Sequence, residues 1–208
     1  MDLFSYLRGA KLNKVDEAYG TTDITKGPSP FVLGGLLGQK IKLSSTMALK
    51  LSDTTVGTLY GGEYQLVRLD PAQTATLANS KVGAPVYWVD RKLFKVTFDA
   101  VATALLAGIA ISVPTAKGNV FMICTLGEVG ALYANPTTKG ATADANDPVV
   151  AAIAGGVAVV DILADATGWT NVQKRLEIGR AAEDPGAGNA IFKIILTNAV
   201  PAFNDGVR

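Results

Sequence analysis

The chain has 208 residues, with 19 Lys plus Arg against 18 Asp plus Glu, a net charge of +1. Charged residues make up 18% of it, below the roughly 25% of an ordinary globular protein, and Ala, Gly and Thr fill the difference. That balance, with no long run of one sign, excludes a phosphate-neutralising nucleic-acid patch, and the absence of histidine excludes Ser-His-Asp and Cys-His catalysis.

The length predicts one domain, or one domain with an arm. A weakly charged surface rich in small residues suits a chain that buries itself against copies or partners, or simply a thrifty β protein. Residues 1–50 read as the arm. A weakly helical opening (Leu3, Phe4, Tyr6, Leu7) leads to Lys26-Gly-Pro-Ser-Pro30, where two prolines disfavour helix. Phe31-Val-Leu-Gly-Gly-Leu-Leu-Gly38 then carries apolar side chains between glycines and packs poorly alone. Phe4, Tyr6, Phe31, Leu33, Leu36 and Leu37 are the candidate anchors for another subunit or partner. The alternative is a long loop lying on its own domain.

Residues 51–208 read as the β domain, with an inserted loop region around 135–170. Lys40-Ile-Lys-Leu43 and Val67-Arg-Leu-Asp70 alternate polar with apolar, as half-buried strands do. Residues 54–60 are rich in Thr, Val and Tyr. Residues 85–89 and 93–98 form strands around an Asp90-Arg-Lys turn, and residues 100–106 have helical spacing. Residues 108–113 and 120–126 pair around Gly118-Asn119, with a further short strand at 129–134. The run 149–160 is ambiguous between strand and helix, although 157–163 has the look of a buried strand.

One pattern occurs twice. Gly108-Ile-Ala110, Pro114, Gly118-Asn119 and an apolar run are echoed by Gly179-Arg-Ala181, Pro185, Gly188-Asn189 and residues 190–196. A Gly-Asn turn between two strands is a hairpin signal, because both residues tolerate positive φ. The chain therefore builds a hairpin twice from one recipe. Short strands at regular intervals predict a mainly β fold, a small barrel or sandwich with an extended N-terminal arm. The last strand is expected to pair with residues 54–60 and close the sheet.

Chemistry is sparse. Cys124 lies alone in an apolar run and reads as a small buried hydrophobe, which suits a reducing compartment. Glu63, Asp70, Asp90, Asp99 and Glu128 are expected at strand ends or turns. Asp144-Ala-Asn146-Asp147 echoes a calcium loop but lacks its glycine and distal Glu. Tyr87, Trp88, Phe94 and Phe98 read as core or interface packing, with a stacking platform for single strands as the alternative. No cofactor, no metal and no catalytic residue is expected, so the chain reads as a non-enzyme. The opening residues lack a basic start followed by a long apolar core, and the apolar runs fall short of the ~20 residues that cross a bilayer. No membrane partner is expected.

Val82-Gly-Ala-Pro-Val-Tyr-Trp-Val-Asp90, Phe94-Lys-Val-Thr-Phe98, Gly108-Ile-Ala110, Gly118-Asn119 and Gly127-Glu-Val129 together resemble the capsid decoration (cement) proteins of tailed bacteriophages. Residues 179–196 match that family's closing turn, hairpin and strand. The resemblance implies a structural virion protein on the capsid exterior, made in the host cytoplasm. It implies self-association, often as trimers, and contact with the major capsid protein, whose neighbouring subunits it clamps. Residues 135–170 exceed the compact form of that family. The alternatives are another phage structural β protein, such as a head fibre or tail-tube component, and a carbohydrate-binding β domain.

Overall fold

The computed structural model describes residues 37–38, 40–51, 59–99, 105–114, 116–134, 144–154, 156–162, 177–184 and 191–197. The fold is mainly β. Among the described residues, ten strands join in one sheet: β1 Lys40–Leu43, β2 Gly62–Leu69, β3 Pro85–Asp90, β4 Lys95–Thr97, β5 Leu106–Ala110, β6 Val120–Leu132, β7 Pro148–Ala154, β8 Val157–Ile162, β9 Glu177–Ala181 and β10 Ile191–Leu196. A helix, α1 Ser45–Leu51, follows β1 and was not foreseen from the sequence.

Five strands close on themselves. β2 pairs in parallel with β4, then β4–β3, β3–β5 and β5–β6 run antiparallel, and β6 returns antiparallel to β2. The ring is a five-stranded barrel with no open edge between β2 and β6. Val67, Leu69, Phe98, Phe121 and Ile123 are buried, and the Phe98 and Phe121 rings stack with centroids 5.6 Å apart. The expected closure by the last strand is corrected here. Both edges of β10 are taken, by β6 and by β9, and the barrel closes through β2–β6 instead.

The remaining strands continue from the C-terminal half of β6, in the order β6–β10–β9–β7–β8. A parallel bridge between Tyr133 and Val160 brings β8 back to the end of β6. A second, looser ring results, and β6 belongs to both. Its first half pairs with β2 and its second half with β10.

The second ring repeats the first, position by position. Ala110 pairs with Ile123 and Ile109 with Cys124; likewise Ala181 pairs with Ile194 and Arg180 with Ile195. Pro85 and Val86 oppose Ile109 and Gly108; Pro148 and Val149 oppose Arg180 and Gly179. Val67 lies across from Phe121, and Ala131 across from Phe192. The parallel pair Leu69–Val96 matches the bridge Tyr133–Val160. Hydrogen bonds follow suit: Asp70 N donates to Val96 O at 2.7 Å, and Ala134 N to Val160 O at 2.9 Å. Met122 N donates to Ser112 Oγ, and Lys193 N to the Glu183 carboxylate. Even the backbone bend before the ring recurs, with positive φ at Gly83 (83°) and at Asn146 (73°).

The doubled motif is thus the core of a structural repeat. Gly108 and Gly179 occupy one position in the two rings. A Cβ on either would collide with a carbonyl of the neighbouring strand, that of Cys124 or of Ile195. The Gly-Asn element differs from expectation. Residues 111–114 and 116–119 belong to a wide connection, Gly118 takes positive φ (87°) while Asn119 does not, and Asn119 is buried with its carbonyl accepting from Leu69 N at 2.9 Å. Residues 185–190, the second copy of that loop, lie outside the described residues.

Other expectations resolve simply. The ambiguous run 149–160 is a strand hairpin, β7–β8. The segment 93–98 shortens to β4, because Asp90 Oδ1 accepts from Lys92 N and Leu93 N and Phe94 sits at φ 51°. Residues 54–58 and 100–104 lie outside the described residues.

Candidate interaction surface

Among the described residues, most of the groups singled out for chemistry are engaged in structure. Cys124 is fully buried, and burial pushes its thiol up to about 12, so the nucleophilic thiolate is not populated near neutrality. Glu63 sits between Lys42 (2.9 Å) and Lys40 (3.6 Å), and the bond from Lys42 holds its carboxyl below the usual range. Asp70 pairs with Lys95 at 3.5 Å. Asp99 is opposed by burial, yet the N–H groups of Thr74 (2.7 Å) and Ala75 (2.6 Å) outweigh it and lower its pKa. Glu128 departs from expectation by lying inside β6 rather than at a strand end. Asp147 accepts from Asp144 N at 2.8 Å, which makes the Asp144–Asp147 turn a backbone cap before β7. Tyr87, Trp88 and Phe98 are buried and Phe94 packs partly buried against the core, so these aromatics are packing residues.

Of the six anchor candidates, Phe4, Tyr6, Phe31, Leu33 and Leu36 lie outside the described residues. Leu37 is half-buried against the core, beside Gly38, whose N–H donates to Leu66 O at 2.8 Å and whose carbonyl accepts from Gln65 Nε2 at 2.7 Å. The chain is therefore tied to the barrel wall from residue 38 onward. Leu37, Leu93 and Phe94 line a shallow depression of about 400 Å³, rimmed by Arg68, Lys92 and Lys95. Leu93 is the most exposed large apolar side chain there, at 57%.

A second apolar surface lies on the outside of the second ring. β10 alternates Phe192, Ile194 and Leu196 inward with Ile191, Lys193 and Ile195 outward. Ile191 and Ile195 are 47% and 42% exposed. Ile191 leans over Gly130, and Lys193 Nζ lies 5.6 Å from the Tyr60 ring centroid. Sequence reasoning did not single out this surface. The signal was present in Ile191-Phe-Lys-Ile-Ile-Leu196, where isoleucines fill the face opposite the core set.

No protein-family model matches this chain, and no curated relative matches it by sequence. Among solved structures it is similar to the head fibre gp8.5 N base of bacteriophage phi29, with a TM-score of 0.36 and 10% identity over 65% of this chain and 94% of that one. A likeness at that level carries no inference about function.

Proposed function

We propose that the chain is a structural virion protein of a tailed phage head, which binds the outer capsid surface and clamps neighbouring major capsid subunits. It acts by adhesion and catalyses nothing. One observation supports this reading above the others. The motifs that resemble decoration proteins do not scatter over the fold: Pro85–Asp90, Lys95–Thr97, Gly108-Ile-Ala110, Gly118-Asn119 and Gly127-Glu-Val129 are successive parts of one closed barrel and of the strand that leaves it. A rigid barrel presenting exposed apolar side chains beside charged ones fits repeated docking on a shell, where many weak contacts add.

The alternative within the same class is a head fibre or tail-tube component. Co-sedimentation of the full chain with DNA-free heads of its phage, followed by cryo-EM, tests the proposal. Density spanning the junctions between capsid subunits is the expected result. Density confined to a single fibre-like projection or to the tail selects the alternative, and no association with particles removes both. Deleting residues 1–36 is expected to abolish shell binding while the barrel still melts cooperatively; saturation of shells by the truncated chain would reject the anchor role of that segment.

A further inference from the structure

The internal repeat identifies a surface that is buried in one ring and partly exposed in the other. In the first ring, the outward positions of the β2–β6 pair are Tyr64, Leu66, Met122 and Cys124, and all four are buried. Their counterparts in the second ring are Glu128, Gly130, Lys193 and Ile195. Here Ile195 is exposed, with exposed Ile191 on the same face of β10. The chain path differs between the two rings. β2 is preceded by β1 and α1, and that lead-in bonds to the first ring: Tyr64 OH donates to Tyr60 O at 2.6 Å, and β1 pairs along β2 from Lys40–Gln65 to Leu43–Gly62. The second ring begins within β6 itself, and Tyr60 of that lead-in lies beside its Lys193.

We propose that the outer face of β10, with its flanks on β6 and β9, is a two-fold interface with a second copy of this chain. The charge arrangement selects a copy as the occupant. Ile195 lies opposite Glu128 on one side and Arg180 on the other, which sets one carboxylate, one apolar side chain and one guanidinium in a row across the three strands, with Lys193 and Ile191 following along β10. A two-fold axis between the faces and parallel to β10 superposes apolar on apolar and places Glu128 of each copy over Arg180 of the other. That is the self-complementarity an isologous interface requires. Arg180 also holds Glu177 at 3.1 Å, and its guanidinium has further N–H donors for a second carboxylate. Lys193 leans toward Tyr60 and off the axis.

Sedimentation of the purified full chain, without particles, tests this independently of any capsid role. A dimer is expected, and Ile195→Asp should weaken it about tenfold or more while leaving the melting temperature of the monomer unchanged. Glu128→Arg should weaken it as well, and adding Arg180→Glu should recover much of the loss, because the exchanged charges meet only across the two copies. A monomer at tens of micromolar, a trimer, an oligomer indifferent to Ile195→Asp, or a double exchange that recovers nothing would each overturn the proposal. Circular dichroism of every variant separates a lost interface from a lost fold.

Discussion

Gly127 stands opposite Gly62 where β6 passes from the first ring to the second, and neither position has room for a side chain. Gly127 holds φ 100°, and a Cβ there would lie 2.6 Å from Gly61 O and 2.7 Å from Gly62 Cα. Gly127→Ala therefore combines a strained backbone with a collision against backbone that cannot retreat. The expected cost is about 2–4 kcal/mol, read as a lower denaturation midpoint. Because β6 is common to both rings, the loss should appear in one cooperative transition.

The structural repeat makes a paired prediction. Gly108→Ala and Gly179→Ala each drive a methyl into the carbonyl of the adjacent strand, at matching positions of the two rings. Both should destabilise, each by about 1–3 kcal/mol. Chemical denaturation of the two variants checks it. A neutral result at either site would mean that the two rings do not share one packing solution.

Much of the first ring could be read from residue pattern. Pro85–Asp90 and its turn at Asp90 carry strong strand and turn signals, and the doubled Gly-x-Ala motif marked two strand pairs that the structure builds in identical register. What pattern could not show was continuity. Gly127 reads as a break between two short strands, yet β6 runs through it, because a glycine with positive φ lets the strand change partners without ending. Nor could periodicity decide residues 149–160, since a short apolar run suits helix and buried strand equally. Closure depended on which strand reached β2, and nothing in the sequence distinguishes β6 from β10 for that role. The exposed isoleucines of β10 were hidden for a related reason: a run apolar on both faces reads as buried whichever face is covered.

Asp99 and Glu63 set the acid limit. Both carboxyls are held below their ordinary values in the folded chain, Asp99 despite burial, through the N–H groups of Thr74 and Ala75, and Glu63 chiefly through Lys42. Unfolded Asp and Glu titrate near 3.9 and 4.3, so their contribution is complete above roughly pH 5 and is lost as pH falls through the lower folded values. Thermal melts from pH 6 to pH 2 should show this loss. Asp99→Asn should lower stability by about 1 kcal/mol at pH 7, the scale of a lost carboxylate cap, and should flatten the acid slope.

The alkaline limit should start with Cys124. Burial raises its thiol to about 12 and the Tyr87 phenol likewise to about 12, while the unfolded groups ionise near 8.5 and 10. Protons are then bound more tightly by the folded chain, so stability should fall as pH rises from about 8.5, first through the thiol and then through the phenol. Labelling of the single thiol by an aromatic disulfide reagent at pH 8 gives an independent reading. The native chain should react only as fast as it opens, and adding denaturant should bring the rate to that of a free thiol. Cys124→Ala removes the first phase of the alkaline slope and leaves the second. If the native thiol instead labels at once at pH 8, the face of β6 that carries it is open to solvent, and the contrast between a buried first-ring face and a more exposed second-ring face disappears with it.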